Sequence, residues 1–390
     1  METLASLLSP YPLQEFLQEN WTQKGVFIPA ERRDKFGYLF SWQDLNYLLN
    51  FHNYTYPDLR FSQGGRVLPP GSAKNWVKRC QEGATLILNH VHQRVPALAE
   101  LAAALHREVG HRVQVNTYCS WPSQQGFSCH YDTHEVFILQ IQGNKEWFVF
   151  EDTVKYPRKN ARTLGVEPPE SDPYIHEVLQ PGDLLYIPRG HWHYAIACDR
   201  PSLHLTLGIP GRTGVDWLRW LVGELQNDPA WRENLPLATT EDTAALEYHL
   251  HGLVDRLIDT LKQEKWVQKY ARSHSHRSDR LPEISLPSQA GFDVFADGFE
   301  TQFRRGKFQN LRIEKQPETN QYQITFAHKE ITLTHVTDAF IKNLCQRHQF
   351  TVWEAMEWLP NFDLEADVLP LLWQLVWEEV LIVDPPDSLQ

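Results

Sequence analysis

Two short motifs that carry metal-ligand side chains place the strongest constraint on how this chain folds. The first is His130-Tyr131-Asp132, and the second is the segment 182–193, which ends in His193. Residues i and i+2 of a β-strand point to the same side, so His130 and Asp132 can both face a barrel interior while Tyr131 faces away. The third ligand must then come from another strand. The motifs therefore predict a β-barrel whose interior holds a metal site.

The second motif has the pattern that this other strand needs. A turn at 180–183 precedes the apolar run 184–187, and a further turn at 188–190 leads to the histidines. Two imidazoles and one carboxylate on one side of a metal leave the remaining positions open, and this is the ligand set of non-haem Fe(II) oxygenases. An HxD pair alone is common by chance. Its combination with a downstream turn, strand, turn and histidine is much more specific.

The segments around the motifs have the periodicity of a mostly β first region. Apolar or alternating runs separated by glycine and proline turns predict strands at 113–118, 135–141, 146–150, 176–179, 184–187 and 203–207. Before them, apolar spacing predicts a helix that starts at Trp42 after the N-cap Ser41, and a further helix that opens with Pro96.

The spacing G-x5-P-x-G-x2-H of residues 182–193 resembles the second motif of the cupins, in which His193 rather than His191 is the ligand. The run from His130 to Trp147, HYDTHEVFILQIQGNKEW, resembles the core of the JmjC-type ribosomal oxygenases. The N-terminal segment also resembles the N-terminal sequence of that family, at Phe16, Leu17, Trp21 and Lys24. The resemblance implies an α+β fold, with a double-stranded β-helix (jelly-roll or cupin) JmjC barrel, a helical dimerisation region and a C-terminal winged-helix-like domain.

The resemblance further implies an Fe(II)- and 2-oxoglutarate-dependent dioxygenase that uses O2 to hydroxylate an arginine or histidine of a ribosomal protein, releasing succinate and CO2. In the family pattern Lys145 binds the far carboxylate of 2-oxoglutarate, through a charge-assisted hydrogen bond. Asn116, Tyr118 and Thr206 match positions that contact the cosubstrate, and the first two share a strand face. The alternatives are a surface lysine in a turn and satisfied polar groups of the core.

Two further histidines compete with the predicted ligands. His134 has the same strand parity as His130 and Asp132, but the family pattern places the ligands before the apolar strand and leaves His134 as a pocket-wall or outer residue. The x2 spacing after Gly190 excludes His191. Both histidines could still donate to ligand carboxylates or to substrate.

Two other functions remain open from the sequence. The same chemistry could act on another peptide, such as a leader-guided natural-product precursor, or on a small metabolite. Alternatively, the chain could be a catalytically idle metal-binding cupin. The presence of Lys145 together with the complete triad His130, Asp132 and His193 argues against the idle form, because metal binding alone does not require all four.

The composition limits the classes of binding partner and the cellular compartment that suit this chain. The net charge of −12 argues against direct nucleic-acid binding and is compatible with a basic protein partner. Five scattered cysteines without a CxxC pair predict free thiols in a reducing cytoplasm. No run approaches the ~18 apolar residues of a membrane helix, and the first residues lack the basic start of a signal peptide.

The pattern along the chain predicts three regions. They are a catalytic barrel with N-terminal helices at 1–209, a helical dimerisation region and linker at 210–282, and a winged-helix-like domain at 283–390. The helices around 217–225 and 246–261 carry more large apolar residues than one buried stripe needs, which predicts a homodimer; the alternative is that both helices cover the barrel of their own chain. The polar segment 271–282 predicts a linker. Residues 283–390 hold eight Lys/Arg and seventeen Asp/Glu, and this acidic balance argues against nucleic-acid binding by this part of the chain.

Overall fold

The structure is a computed structural model that describes residues 3–70, 75–161, 166–239, 242–262, 265–275, 283–307, 311–316, 319, 321–326 and 329–384. The chain divides into two compact units, Met1–Gly211 and Arg212–Gln390. The finer division into three regions that the sequence predicts stays a prediction. None of the helices among the described residues is long and apolar enough to cross a membrane.

The first unit combines short helices with strands. Its helices are α1 (Leu4–Leu8), α2 (Leu13–Glu15), α3 (Trp42–Phe51), α4 (Trp76–Gln81) and α5 (Pro96–Val109). Its strands are β1 (Val26–Ile28), β2 (Leu59–Gln63), β3 (Arg66–Val67), β4 (Thr85–Leu88), β5 (Gln114–Ser120), β6 (His130–Tyr131), β7 (Glu135–Gln142), β8 (Lys145–Asp152), β9 (Ile175–Leu179), β10 (Leu184–Ile187), β11 (His191–Ala197) and β12 (Ser202–Ile209). A π-helical turn covers Phe16–Asn20, and a 3-10 turn covers Val91–Gln93.

The strands form two antiparallel sheets. The larger sheet has the order β1-β10-β7-β12-β5-β4-β2-β3, and the smaller sheet has the order β6-β11-β8-β9. Strands that are neighbours in a sheet are mostly distant in sequence, as in a jelly roll. The predicted strands are all present, and the predicted helices at Trp42 and Pro96 begin where expected.

Side-chain alternation gives the larger sheet two different faces. In β12, Leu203, Leu205 and Leu207 enter the main hydrophobic core, which α3 and α5 also line. The residues between them, His204 and Thr206, therefore lie on the opposite face. The sheet thus presents leucines to the helices and polar groups to the interior of the barrel.

Local signals explain the helix boundaries. The hydroxyl of Ser41 accepts a hydrogen bond from the backbone N–H of Asp44 at 3.2 Å and caps α3, as the sequence predicts. Helix α5 has Pro96 in its first turn and ends at Gly110, whose φ of 67° is the left-handed conformation favoured by glycine.

The second unit begins with helices and continues with small sheets. Its helices are α6 (Gly214–Leu225), α7 (Ala244–Leu261), α8 (Lys265–Ser275), α9 (Asp338–Gln346), α10 (Val352–Trp358) and α11 (Leu369–Trp377). Its strands are β13 (Gln302–Arg305), β14 (Arg312–Lys315), β15 (Tyr322–Phe326), β16 (Lys329–Leu333), β17 (Gln349–Thr351) and β18 (Leu381–Val383), in the sheets β17-β13-β18 and β14-β15-β16. The predicted mixture of helix and strand is present, whereas the winged-helix-like assignment stays a prediction.

The predicted linker begins inside a helix. Helix α8 continues to Ser275, so residues 271–275 are helical rather than extended linker. The rest of the predicted linker, residues 276–282, lies outside the described residues. Trp220 of α6 packs edge-on against Trp266 and Tyr270 of α8, with ring centroids 5.8 and 5.1 Å apart. This aromatic contact joins α8 to α6.

Gly143 makes the turn that starts β8, and we predict that it tolerates no side chain. Its φ is 68°, and a Cβ at this position would lie 2.1 Å from the carbonyl oxygen of Pro201. Gly143→Ala should therefore lower the free energy of unfolding by about 2 kcal/mol or more, measured by urea unfolding. The matched control is Gly223→Ala in α6, where nothing lies within 4 Å of the added Cβ. It should be neutral or stabilising by up to about 1 kcal/mol, and equal losses for both variants would contradict the account.

Candidate active site

The structure brings the three predicted metal ligands together. One possible ligand atom from each of His130, Asp132 and His193 lies within 4.8 Å of the others. The pairing of β6 with β11 sets His130 directly opposite His193. Asp132 follows β6, where its carbonyl oxygen accepts a hydrogen bond from the backbone N–H of Gly190 at 2.9 Å. The turn of the second motif therefore helps to hold the first motif in place.

Backbone contacts orient both imidazoles. Nδ1 of His130 lies 2.8 Å from the carbonyl oxygen of Ser128, and Nδ1 of His193 lies 3.1 Å from that of His191. A carbonyl oxygen only accepts, so each Nδ1 carries the proton and each Nε2 keeps a lone pair for a metal. Nε2 of His193 lies 3.7 Å from Oδ2 of Asp132.

The protonation states also suit a metal. Burial, with the nearby His130 as a further cause, lowers the pKa of His193 to about 4, so its imidazole is neutral at pH 7. Burial opposes ionisation of Asp132, but the neighbouring His134, His130 and His193 outweigh it and lower the pKa of that carboxyl. The site therefore offers a neutral imidazole at His193 and an ionised carboxylate at Asp132.

The two histidines of the second motif have different environments. The pairing of β11 with β8 shifts register between His191 and His193, and this bulge breaks the simple alternation that would place both side chains together. The hydroxyl of Tyr174 bonds Nδ1 of His191 at 2.8 Å and accepts from the backbone N–H of Gly25 at 3.0 Å. His191 thus supports His193 through its carbonyl oxygen and lies outside the triad, as the motif spacing predicts.

His134 is not among the residues that line the cavity. Its ring packs against the backbone of β12, where a Cβ at Gly208 would lie 2.8 Å from it. Of the two expected positions, the structure shows the outer one, beside the ligand Asp132, and not the pocket wall. Its effect on the site is electrostatic, through Asp132.

The triad opens into a cavity of about 210 Å³. Of the other predicted site residues, Lys145, Tyr118 and Thr206 also line it, and Asn116 does not. The further lining residues are Arg60, Thr85, Gly126, Phe127, Val136, Ile138, Trp147, Tyr194, Ala195 and His204. The barrel thus has one chamber that contains both the metal-ligand side chains and a buried lysine.

Lys145 is buried in this cavity without a matching charge. Its Nζ donates to Oγ of Ser120 at 2.9 Å, and that oxygen lies 3.2 Å from Oγ1 of Thr85. Burial lowers the pKa of Lys145 to about 8. Within the described part of the chain, no carboxylate forms a salt bridge with it. A buried cation with only neutral partners is costly, and a carboxylate ligand would relieve that cost.

The polar residues of β5 and β12 differ in their contacts. The ring of Tyr118 stacks on His204, with centroids 5.0 Å apart, and burial raises the pKa of Tyr118 to about 12. Its phenol is therefore neutral and can donate a hydrogen bond to a ligand. Oδ1 of Asn116 accepts from the backbone N–H of His90 at 3.0 Å. Asn116 thus has the contact expected of a satisfied core polar group.

Sequence reasoning missed several cavity residues. His204 is 2% exposed, its Nδ1 has no hydrogen-bond partner among the described residues, and burial lowers its pKa well below the usual value. Its alternation with Leu203 and Leu205 is the signal that could have found it. Arg60 lies on the short strand β2, where its alternation with Leu59 and Phe61 is the corresponding signal.

Comparisons with known proteins identify the domain around this site. Residues 89–216 match the model of the JmjC domain family. The bifunctional lysine-specific demethylase and histidyl-hydroxylase NO66 of Drosophila persimilis is 32% identical over 325 residues, which cover 75% of this chain and 46% of that protein. Human ribosomal oxygenase 1 is 32% identical over 355 residues, which cover 82% of this chain and 54% of that protein. The chain therefore spans about half the length of these curated relatives.

A solved structure extends the likeness over nearly the whole chain. YcfD, a ribosomal oxygenase from Escherichia coli solved with cobalt and succinic acid, is 19% identical and superposes with a TM-score of 0.61. The match covers 96% of this chain and 99% of that chain. The resemblance to JmjC-type ribosomal oxygenases and the predicted cupin-like barrel are both confirmed.

We predict that the triad binds a divalent metal. His130→Ala, Asp132→Ala and His193→Ala should each weaken Co(II) binding by at least about 100-fold in isothermal titration, because each removes one donor. His191→Ala should bind within about tenfold of the wild type, because its carbonyl oxygen remains. Co(II) binding that depends on His191 and not on His193 would contradict this ligand set.

We also predict that Lys145 binds the cosubstrate's carboxylate. Lys145→Met should weaken 2-oxoglutarate binding by about two orders of magnitude or more, because it leaves a buried carboxylate unpaired, and Co(II) binding should persist. Lys155→Met, at an exposed lysine, is the control. Because the pKa of free Lys145 is about 8, the wild-type dissociation constant should be flat below that pH and rise above it. A 2-oxoglutarate dissociation constant that changes neither in Lys145→Met nor with pH would show that another residue binds the carboxylate.

Proposed function

Because the chain carries a JmjC domain and resembles ribosomal oxygenases, we propose that it is an Fe(II)- and 2-oxoglutarate-dependent oxygenase that hydroxylates an arginine or histidine of a ribosomal protein. The observation that carries the proposal is the shared cavity, into which the triad His130, Asp132 and His193 and the buried Lys145 all open. The products are succinate, CO2 and the hydroxylated side chain.

The residues fit both groups that this activity needs. Two imidazole nitrogens and one carboxylate suit Fe(II) and would leave positions open beside it. A dicarboxylate suits the other end of the cavity, where Lys145 lacks an anion. Nδ1 of His204 and Nε1 of Trp147 are also buried there without partners among the described residues. Unpaired buried polar groups are rare, and a polar ligand in this chamber would account for them.

When bound, Fe(II), 2-oxoglutarate and O2 supply oxidative decarboxylation and the oxygen atom of the product hydroxyl. The chain's own residues bind and orient. His130, Asp132 and His193 would hold the metal from one side, which would leave its other side open to the cosubstrate and O2. Lys145, held by Ser120, fixes the far carboxylate and hence the position of the keto acid.

The cavity wall combines apolar residues that exclude water with a neutral hydrogen-bond donor. Val136, Ile138 and Ala195 line it with apolar surface, which strengthens polar contacts inside by excluding water. The neutral phenol of Tyr118 keeps its proton and can donate it in a hydrogen bond to a ligand oxygen. Because these wall residues are apolar or neutral, the reaction would take place beside the triad His130, Asp132 and His193.

The test of this function combines two measurements. With Fe(II) and 2-oxoglutarate, ribosomal proteins from cells that lack this chain should gain one oxygen on a specific side chain, as read by mass spectrometry. Succinate should form in equal amount, and Asp132→Ala should abolish both because a ligand is lost. Succinate formation that only a non-ribosomal peptide or a metabolite stimulates would favour the alternative substrates. Absence of succinate with Fe(II) present would favour the idle cupin.

The proposed setting is the cytoplasm, with a basic protein as partner. All five cysteines are free thiols, which suits a reducing compartment. The net charge of −12 favours encounter with a basic ribosomal protein over contact with phosphate backbones. Direct nucleic-acid binding is therefore not part of the proposal.

Two exposed apolar stripes support a homodimer. Val215, Leu218 and Val222 follow one face of α6, and exposed Val254 and Ile258 follow α7, which has no buried residue at all. Helices of this length usually bury one face. A second copy of the chain would cover both stripes, in a closed twofold arrangement. Trp220 of α6, in contrast, packs against Trp266 of its own chain.

We predict a dimer whose mass is twice 45.5 kDa in light scattering at micromolar concentration. Leu218→Glu and Val254→Glu should each give monomers, because an unpaired carboxylate would be buried at the contact. Val77→Glu, at an exposed apolar residue of α4, is the control and should remain dimeric. A monomeric wild-type chain would contradict the proposal.

A further inference from the structure

We propose that Arg60 is a specificity-determining residue of this site, which accepts a neutral imidazole and rejects a cationic side chain. The proposal rests on the oxygenase function above and makes it narrower. Of the two residue types considered there, it selects histidine as the substrate and excludes arginine.

The position of Arg60 follows from strand alternation. Its neighbours Leu59 and Phe61 belong to the main core, so Arg60 lies on the opposite face of β2. It pairs with Ile87 of β4, which in turn pairs with Tyr118 of β5. These residues form one cross-strand row on the interior face. Arg60 therefore lines the same cavity as the triad, although it comes from a strand outside the two motifs.

The guanidinium of Arg60 forms no salt bridge among the described residues, although its charge helps to lower the pKa of Asp132. Its Nη2 donates to the amide oxygen of Asn89 at 3.1 Å, and this partner is neutral. Asn89 is itself fixed by the carbonyl oxygen of Pro57, which accepts from its Nδ2 at 2.8 Å. Nε of Arg60 is buried without a hydrogen-bond partner in the described structure. The side chain is thus held in place by neutral groups as a positive charge that no carboxylate among the described residues contacts directly.

The other charged groups of the cavity strengthen this effect. Asp132 is the one acidic residue among those that line it, and it is a predicted metal ligand. Lys145 is the second cation, and its proposed partner is the cosubstrate. An arginine substrate would therefore meet Arg60 and find no free carboxylate, which is costly for a desolvated cation. A neutral imidazole avoids this repulsion and can accept a hydrogen bond from a guanidinium.

The experiment uses a matched pair of synthetic peptides. They are copied from the ribosomal-protein site that mass spectrometry identifies and differ only in the central residue, histidine or arginine. Hydroxylation and succinate release are measured with the full-length chain, Fe(II) and 2-oxoglutarate. The wild type should hydroxylate the histidine peptide with a kcat/KM at least about tenfold higher than that for the arginine peptide.

Substitutions then assign the preference to Arg60. Arg60→Met, which removes the charge, should lower the ratio of the two kcat/KM values by about tenfold or more, and chiefly through KM. Arg60→Lys, which keeps the charge, should retain most of the ratio. Arg66→Met makes the same change at an exposed arginine of β3 and should leave the ratio unaltered. Circular dichroism of each variant checks that the fold is retained.

Two results would overturn the inference. One is a wild-type chain that prefers the arginine peptide, which needs no variant to observe. The other is a folded Arg60→Met variant with the wild-type ratio. Arginine hydroxylation with succinate formation would overturn the role of Arg60 and leave the oxygenase function intact. Absence of succinate with both peptides and with whole ribosomal proteins would overturn both.

Discussion

The alternation of side chains on two facing sheets is the constraint on which the rest of this structure depends. On β12 it sends leucines to the helix-covered core and His204 and Thr206 to the barrel interior. On the smaller sheet the pairing of β6 with β11 sets two histidines opposite each other. The hydrogen bond from Gly190 to the Asp132 carbonyl closes the site between them. If the register slipped by one residue, the interior side chains would move to the outer face.

Burial gives these interior groups their chemistry. It keeps His193 neutral and lowers the pKa of Lys145 to about 8, and each change prepares the group for a partner that is not part of the protein. Buried polar atoms in globular proteins are nearly always paired. Three of the exceptions among the described residues, at His204, Trp147 and Arg60, line the same chamber as the triad. Unpaired polar groups beside metal-ligand side chains are typical of a binding site rather than of a core that serves stability alone.

The sequence predicted the parts of the site that have a fixed spacing. The triad follows from motif spacing and strand parity, Lys145 and Tyr118 follow from the family resemblance, and the structure brings all of them to one cavity. Asn116 shares their face but bonds the backbone of His90, because parity specifies a face and not a depth along the strand. The roles of His191 and Arg60 depend on a β-bulge and on a pairing between strands distant in sequence. Motif spacing excludes His191 as a ligand and alternation gives the face of β2 on which Arg60 lies, but neither pattern encodes this long-range geometry.

The central claim is that one chamber binds a metal on the triad and a keto acid beside it. Anaerobic titration of the Fe(II)-loaded chain with 2-oxoglutarate, followed by visible absorption, tests both parts at once, because a keto acid chelated to Fe(II) gives a charge-transfer band. The account predicts that the band saturates at one 2-oxoglutarate per chain and is absent in His193→Ala. It also predicts that saturation requires far more 2-oxoglutarate in Lys145→Met. A wild-type chain that binds Fe(II) but shows no band would contradict it.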